Sequence, residues 1–279
     1  MPVRQPLTMT EPERLKISRF IEAEFGIKMP LAKKSLLEGR LAKRVVEWGL
    51  PTYAAYFEFV LDPTGRDEFR VFEDLVSTHE TSFFREASHF QYLEQTVLPE
   101  LLAHPGRTSI EVLSAASSTG EEAYTLAIIL QEVMHDWRTW DLKIRATDVD
   151  QVRLDMARRA IYDERSVKEV PPEYFDRHIK PLPAGYFGIK PETTKLVEIE
   201  HLNLSDRMAM RAMRSFDFIF CRNVLIYFDD ASRKAVVDHF YNSLKPGGFI
   251  FLGHSESIGR ISTAFKLMRV GEHLVYRKE

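Results

Sequence analysis

A single cysteine, Cys221, occurs in the 279 residues. It has no partner for an internal disulfide and belongs to no Cys-x-x-Cys or Cys/His cluster, which excludes a disulfide scaffold and a zinc ribbon. Its expected role is that of a small apolar residue on a buried strand rather than a catalytic thiol. Long hydrophobic runs are also missing: no segment approaches the ~18 consecutive apolar residues that a membrane span needs, so no membrane insertion is expected. The opening residues Met1-Pro-Val-Arg-Gln-Pro6 have no apolar core behind them. No signal peptide and a cytoplasmic location are the expectation. Charge of one sign is scarce too, since 38 Lys and Arg stand against 41 Asp and Glu for a net charge of −3. That balance disfavours nucleic acid binding by the chain as a whole. No internal repeat or low-complexity segment occurs.

What is present fits a globular chain. Hydrophobic residues make up 44% and charged residues 28%, and the length suits a main domain with a smaller companion. Boundaries are expected at 1–86 for a helical N-terminal domain with its linker and 87–279 for the main domain. From residue 11 to about 103 the pattern is helical. Leu15, Phe20, Ile21 and Phe25 recur at helix spacing, with Gly26 placed to stop the first helix. A second helix is expected after Pro30, with Leu37, Leu41, Val45 and Trp48 on its packing side. Between Lys28 and Trp48, six basic residues (Lys28, Lys33, Lys34, Arg40, Lys43, Arg44) face only Glu38 and Glu47, a candidate docking surface for an acidic partner. Further helices are expected over about 52–61, 66–78 and 87–102, with Thr78 or Thr81 as a candidate cap in the linking segment.

After Pro105-Gly106 the period changes. Ser109-Ile-Glu-Val-Leu-Ser114 is strand-like, and a small-residue loop and a helix opening at Gly120-Glu-Glu122 follow it. Strands over Leu142–Asp148, Lys195–Glu200, Phe216–Cys221 and Phe249–Gly253 alternate with helices, so a mostly parallel α/β sheet is expected. Phe265–Val270 and His273–Tyr276, two residues apart, predict a closing antiparallel hairpin. Residues 161–194 fit neither period and predict a small β subdomain inserted into the sheet domain.

The loop Val112-Leu-Ser-Ala-Ala-Ser-Ser-Thr-Gly120-Glu-Glu122 has the small side chains that let backbone approach a ligand at a helix N-terminus. It lacks the Gly-x-Gly-x-x-Gly pattern of dinucleotide sites. Glu122 would repel phosphate but suits a cofactor with cationic groups and hydroxyls; complementing the helix dipole is the competing role. Asp148, at the end of the second strand, stands where such domains place a carboxylate for ribose hydroxyls. Capping of the next helix by Asp148 or Asp150 is the alternative. His201-Leu-Asn203-Leu204 and Cys221-Arg222-Asn223-Val-Leu-Ile-Tyr227-Phe follow two later strands, at the end of a parallel sheet where ligands bind. Asn223 and Tyr227 are therefore candidates near a transferred group, with a core aromatic as the other reading of Tyr227. Arg85 is a candidate carboxylate partner, structural or functional.

Six segments in order, Thr81-Ser-Phe-Phe-Arg85-Glu, Ser114-Ala-Ala-Ser-Ser-Thr-Gly-Glu-Glu122, Ala146-Thr-Asp148, Asn203-Leu204, Phe220-Cys-Arg-Asn-Val-Leu-Ile-Tyr-Phe228 and Leu252-Gly-His-Ser-Glu256, resemble the CheR family of chemotaxis receptor methyltransferases. The resemblance spans about residues 11–277. It implies a seven-stranded, mostly parallel, Rossmann-like methyltransferase sheet with a small all-α N-terminal domain. It also implies S-adenosylmethionine as cofactor, S-adenosylhomocysteine as product, and protein-glutamate O-methylation on the cytoplasmic helices of chemotaxis receptors as the reaction. By the same resemblance, Thr81, Arg85, Glu122, Asp148, Asn203, Leu204, Arg222 and Asn223 surround the cofactor, with Arg85 and Tyr227 closest to the transfer. The family often has Asn where His79 stands here, whose imidazole nitrogen would replace that contact. Arg40, Lys43 and Arg44 match the family's receptor-recognising helix. A monomer without metal is expected.

The chemistry agrees with that picture. A glutamate with a pKa of about 4.3 is already ionised at neutral pH, so the lack of an evident His/Asp dyad is no obstacle. Methylation of a nitrogen is the nearest alternative, but Asn223-Val-Leu-Ile-Tyr227 has no proline and one residue too many for the Asn/Asp-Pro-Pro-Tyr turn of that class. A catalytically silent cofactor sensor is the alternative from a different class, disfavoured by the intact Arg85 and Tyr227.

Overall fold

The computed structural model describes residues 8–25, 34–76, 81–254, 256–259, 261–270 and 273–279. The expectations for Gly26, Lys28, Pro30, Lys33, Thr78 and His79 lie outside them. The chain divides into two compact units, Met1–His79 with Tyr227–Asp229, and Glu80–Ile226 with Asp230–Glu279.

The first unit is built from α1 (Glu11–Phe25), α2 (Lys34–Glu47), α3 (Tyr53–Leu61) and α4 (Arg66–Val76). Thr10 and Glu13 open α1 reciprocally: Glu13 accepts from the Thr10 amide at 2.7 Å and the Glu13 amide donates to the Thr10 hydroxyl at 3.4 Å, a capping box that satisfies two orphan donors. Thr52 caps α3 by accepting from the Ala55 amide at 3.0 Å. Ile17, Ile21 and Phe25 face the core with Leu37, Leu41, Val45, Tyr56, Phe57 and Phe72. Leu15, expected on the inner stripe, is instead 40% exposed, because Ile17 and Ile21, four residues apart, set the buried face of α1. Trp48 is half-exposed and lies against Phe59, ring centroids 4.6 Å apart.

The second unit begins with α5 (Ala87–Tyr92) and α6 (Leu98–Leu102), joined by a π turn over Leu93–Val97. The expected helix over 87–102 is thus present as one continuous helical run with a π turn inside it. Pro99 supplies the reason: it has no N–H for the carbonyl of Gln95, and its ring would clash there, so the preceding turn widens and the Leu98 amide reaches Leu93. Glu86, in left-handed backbone at φ 56°, occupies the N-cap position of α5 without a side-chain cap bond; Thr81 does not take that place.

Strands and helices then alternate: β1 (Ser109–Ala115), α7 (Glu121–Val133), β2 (Asp141–Asp148), α8 (Gln151–Arg159), β3 (Ile161–Tyr162), α9 (Glu164–Val167), α10 (Pro172–His178), β4 (Ile179–Pro181), β5 (Phe187–Ile189), α11 (Pro191–Thr194), β6 (Val197–His201), α12 (Arg207–Ala212), β7 (Phe216–Cys221), α13 (Asp230–Ser243), β8 (Leu244–Leu252), β9 (Phe265–Val270) and β10 (His273–Lys278). Seven of these strands form one sheet in the order β6-β2-β1-β7-β8-β10-β9. Pairings are parallel from β6 to β8 and antiparallel at β8-β10-β9, which is the expected α/β fold with its closing hairpin. Strand order reverses between β1 and β7, and such a switch opens a crevice at the carboxyl ends of the strands. The inserted region carries its own antiparallel sheet, β3-β5-β4. Both faces of the central strands are covered, so β7 (Phe216-Asp-Phe-Ile-Phe-Cys221) is buried along its whole length and reads as a continuous apolar run. Its one charged residue, Asp217, is held by the Lys245 ammonium at 2.9 Å, the Glu111 amide at 2.8 Å and the Arg107 guanidinium.

Candidate cofactor and active site

The loop between β1 and α7 turns sharply, with Ala116 at φ 57°, Ser118 at φ 51° and Gly120 at φ 91°. Gly120 is needed twice over: its backbone is left-handed, and a Cβ there would stand 2.9 Å from the Ala157 Cβ. Asp148 holds the loop by accepting from the Ser118 amide at 2.8 Å, and it also accepts from the Asp150 amide at 3.0 Å. The cap of α8 is Asp150, which accepts from Val152 and Arg153, so of the two capping candidates Asp150 takes the role. The Leu202 amide donates to the Asp148 carbonyl at 2.9 Å, tying the end of β2 to the segment holding Asn203 and Leu204. Asn203 is half-buried, with Oδ1 accepting from the Ser205 amide at 2.8 Å, and Leu204 is buried.

Glu122, in the first turn of α7, accepts from the Ser114 hydroxyl at 2.7 Å and lies 3.3 Å from the Arg222 guanidinium. Burial pushes its carboxyl pKa up, while Arg222 and Ser114 pull the other way. Arg222, its side chain only 3% exposed, also lies 3.3 Å from Glu86, stacks over Phe90 at 5.1 Å and donates to the Arg85 carbonyl. Its role in this structure is to pair two partly buried carboxylates.

Arg85 itself is half-buried, between two non-glycine residues in left-handed backbone, Phe84 at φ 54° and Glu86 at φ 56°. Such conformations cost of order 1–3 kcal/mol each and persist only where surroundings over-determine them. Here the Phe83 amide donates to the Ser166 carbonyl at 3.1 Å and the Phe84 amide to the Thr125 hydroxyl at 3.2 Å. Thr81 is half-buried at the head of this segment.

Two carboxylates absent from the expected site residues shape it. Glu86 accepts from the Asn223 side-chain amide at 3.3 Å; burial favours its neutral form, yet Arg222 and Asn223 hold its pKa below the usual carboxylate range. Glu256, 5% exposed, accepts from four backbone amides: Asn223 at 2.7 Å, Gly253 at 2.7 Å, Val224 at 2.9 Å and Ile226 at 3.2 Å. It thereby builds the turn after β7, in which Asn223 is left-handed at φ 61°. Gly253 closes the arrangement, since a Cβ there would lie 2.6 Å from Asn223 Oδ1. Tyr227, half-buried, ends the 3-10 turn Leu225–Tyr227 that follows.

S-adenosylmethionine fits these residues on one observation in particular. The Ser117 and Ser118 hydroxyls, in residues 3% and 8% exposed, have no hydrogen-bond partner among the described residues, and buried polar groups ordinarily have one. They lie in a loop whose flanking side chains are acidic rather than basic, which suits hydroxyls and an ammonium over phosphate.

Comparison with known sequences decides the family. The sequence model described as "CheR methyltransferase, SAM binding domain" matches residues 79–273, and that described as "CheR methyltransferase, all-alpha domain" matches residues 13–77. The chain belongs to the CheR methyltransferase family. It is 30% identical to chemotaxis protein methyltransferase 2 of Vibrio cholerae over 98% of this chain and 94% of that protein. It is 34% identical to the chemotaxis protein methyltransferase of Borreliella burgdorferi over 90% of each. The second unit of this CheR-family chain is accordingly a methyltransferase sheet that uses S-adenosylmethionine, and no helix among the described residues is long and apolar enough to cross a membrane.

The basic helix α2 of the CheR-family chain is less uniform than its composition implies. Lys43 is 83% exposed and 3.7 Å from Glu47. Arg40 donates to the Leu75 and Val76 carbonyls at the end of α4, both at 3.3 Å. Arg44 is engaged inside the helical unit: its Nε donates to Glu68 at 2.8 Å, and Glu68, its side chain 2% exposed, also accepts from Tyr56 at 2.7 Å. Helix spacing could place these cations on one side; it could not reveal that carboxylates and carbonyls from α4 meet two of them.

Proposed function

We propose that the chain transfers a methyl group from S-adenosylmethionine to glutamate side-chain carboxylates of chemotaxis receptors, yielding glutamate methyl esters and S-adenosylhomocysteine. The observation that carries this reading is the match of both units, in order, to the two CheR domains, supported by relatives named as chemotaxis protein methyltransferases over 90% or more of the chain.

When bound, S-adenosylmethionine supplies an electrophilic methyl group on a sulfonium. Glu122 and Asp148 are the proposed acceptors for its polar groups, and the Ser117 and Ser118 hydroxyls are unpartnered donors beside them. Thr81, Asn203, Leu204 and Asn223 are the remaining proposed contacts. Arg222 acts by keeping Glu122 and Glu86 paired. Arg85 and Tyr227 are proposed to orient the acceptor carboxylate. The nucleophile is already ionised, so the protein need not move a proton; its work is to exclude water and align the carboxylate for in-line displacement. Lys43, the most open of the three cations proposed on α2, is offered to the anionic receptor helices, with Arg40 and Arg44 beside it.

The test is transfer of labelled methyl from S-adenosylmethionine to receptor-containing membranes, scored by base-labile release. Base-labile label on receptors is the expected result. Cofactor binding without label would overturn the reading.

A further inference from the structure

Helix α12 packs on α13 with Met210 turned inward and Met213 just beyond it, 1% and 6% exposed. Its outer side is different in kind. Arg207 and Arg211, one turn apart, are both exposed, Met208 between them is 75% exposed, and Arg214 is exposed just past the helix end. The adjacent Asp206 carboxylate is used in capping, accepting from the Met208 and Ala209 amides at 2.8 and 3.1 Å. Among the described residues none of the three arginines has an ion pair, and the one side-chain hydrogen bond they make is from Arg214 Nε to the Arg211 carbonyl. Like charges one turn apart on a helix are mildly destabilising, so this cluster is held at a small cost in the isolated chain. The positive field is felt nearby. Burial and then Arg207 and Arg211 push the half-buried His239 of α13 to a lower pKa, opposed by Asp238, which is itself engaged by Lys234 at 2.7 Å.

The position of the cluster bears on substrate access. Only Ser205 and Asp206 separate α12 from Asn203-Leu204, at the carboxyl end of β6, the edge at which open α/β sheets receive their ligands. An exposed methionine among arginines is a protein-docking composition, both residue types being enriched at interfaces; a small anion would leave Met208 uncovered. We propose that Arg207, Met208 and Arg211 dock an acidic stretch of the protein substrate flanking the glutamate that accepts the methyl group. The proposal rests on the receptor-methylating function above, whose substrate is anionic by the nature of its acceptor residues. Complementary charge at such a rim sets encounter rate and salt dependence more than the chemistry that follows.

The experiment uses the full chain and a purified cytoplasmic receptor fragment, comparing wild type with the double variant Arg207→Glu/Arg211→Glu and with Met208→Ser. The expected result for the double variant is a KM for the fragment raised about ten-fold or more and a flatter dependence of KM on salt. Its kcat at saturating fragment and its calorimetric affinity for S-adenosylhomocysteine stay within about two-fold of wild type, because neither arginine belongs to the proposed cofactor site. Met208→Ser is expected to raise KM by a smaller factor without altering the salt dependence. An unaltered KM and salt dependence, with wild type methylating the fragment, would overturn this proposal alone. A wild type that methylates no receptor fragment would overturn the function it rests on and the proposal with it. Loss of duplex DNA binding in the variant at unchanged KM would assign the cluster to nucleic acid and overturn it as well.

Discussion

Glu256 shows how much one side chain can organise. Four amides converge on its carboxylate, and they come from the turn that carries Asn223 and runs on to Tyr227. A glutamine at this position keeps one acceptor oxygen but turns an NH2 group toward two of those amides. Glu256→Gln should therefore lower stability by about 1–3 kcal/mol, the cost of unsatisfied buried donors, and reduce both cofactor affinity and methyl transfer; thermal melting and calorimetry with S-adenosylhomocysteine check it. Unchanged affinity would mean that the turn holds itself. Arg85→Ala and Tyr227→Phe are expected to behave differently, leaving the melting curve near wild type while lowering the methyl-transfer rate, and unchanged activity in both would remove their assignment. The carboxylates Glu86 and Glu256 were visible in the sequence as letters of two of the six resembling segments. No periodicity or spacing, however, announces a residue that acts through partners 30 or more positions away.

At the scale of elements, the helical unit depends on a buried charge rather than on apolar packing alone. Glu68 is desolvated, yet Arg44 and Tyr56 hold its pKa below the usual range. A carboxylate with a lowered pKa in the folded state stabilises that state above its unfolded value of about 4.3, and the contribution is lost as pH falls through the folded pKa. Melting of wild type and Glu68→Gln between pH 7 and pH 3 should show a gap that narrows in acid; a gap independent of pH would exclude the ion pair as its source. Most elements could be read from period and punctuation. The strand β7 has the bounds expected of it, because a continuous buried run bounded by polar residues has a clear pattern. The π turn inside 87–102 was hidden, since Pro99 can open, kink or end a helix and only packing selects among these. The strand β6 begins at Val197 rather than Lys195, a register that pairing with β2 determines.

For the whole molecule, the parallel core and its antiparallel hairpin gather loops from β1, β2, β6 and β7 at one edge, so a ligand there binds several strands at once. With S-adenosylhomocysteine at about 100 times its Kd, the linkage relation gives roughly 2.7 kcal/mol of added stability. For a body of this size that corresponds to a rise in Tm of about 5–10 °C, measurable by calorimetry; no rise would contradict cofactor binding by the folded sheet. The fold class and the seven strands of the main sheet were legible, and so was the family, because six short segments keep their order between Thr81 and Glu256. The surface of α12 was not, because the separation of paired from unpaired arginines exists only in three dimensions.

The buried cysteine of the central strand has a practical corollary. Cys221 is fully enclosed, and burial, with Glu256 and Glu122 adding to it, keeps its thiol protonated well above the usual range. As the chain's one thiol, it is a native clock for the opening of β7. A chromogenic disulfide reagent should react at the rate at which the sheet breathes, one count per molecule and with no engineered label. Ligand that closes the sheet should slow the clock in proportion to its own occupancy.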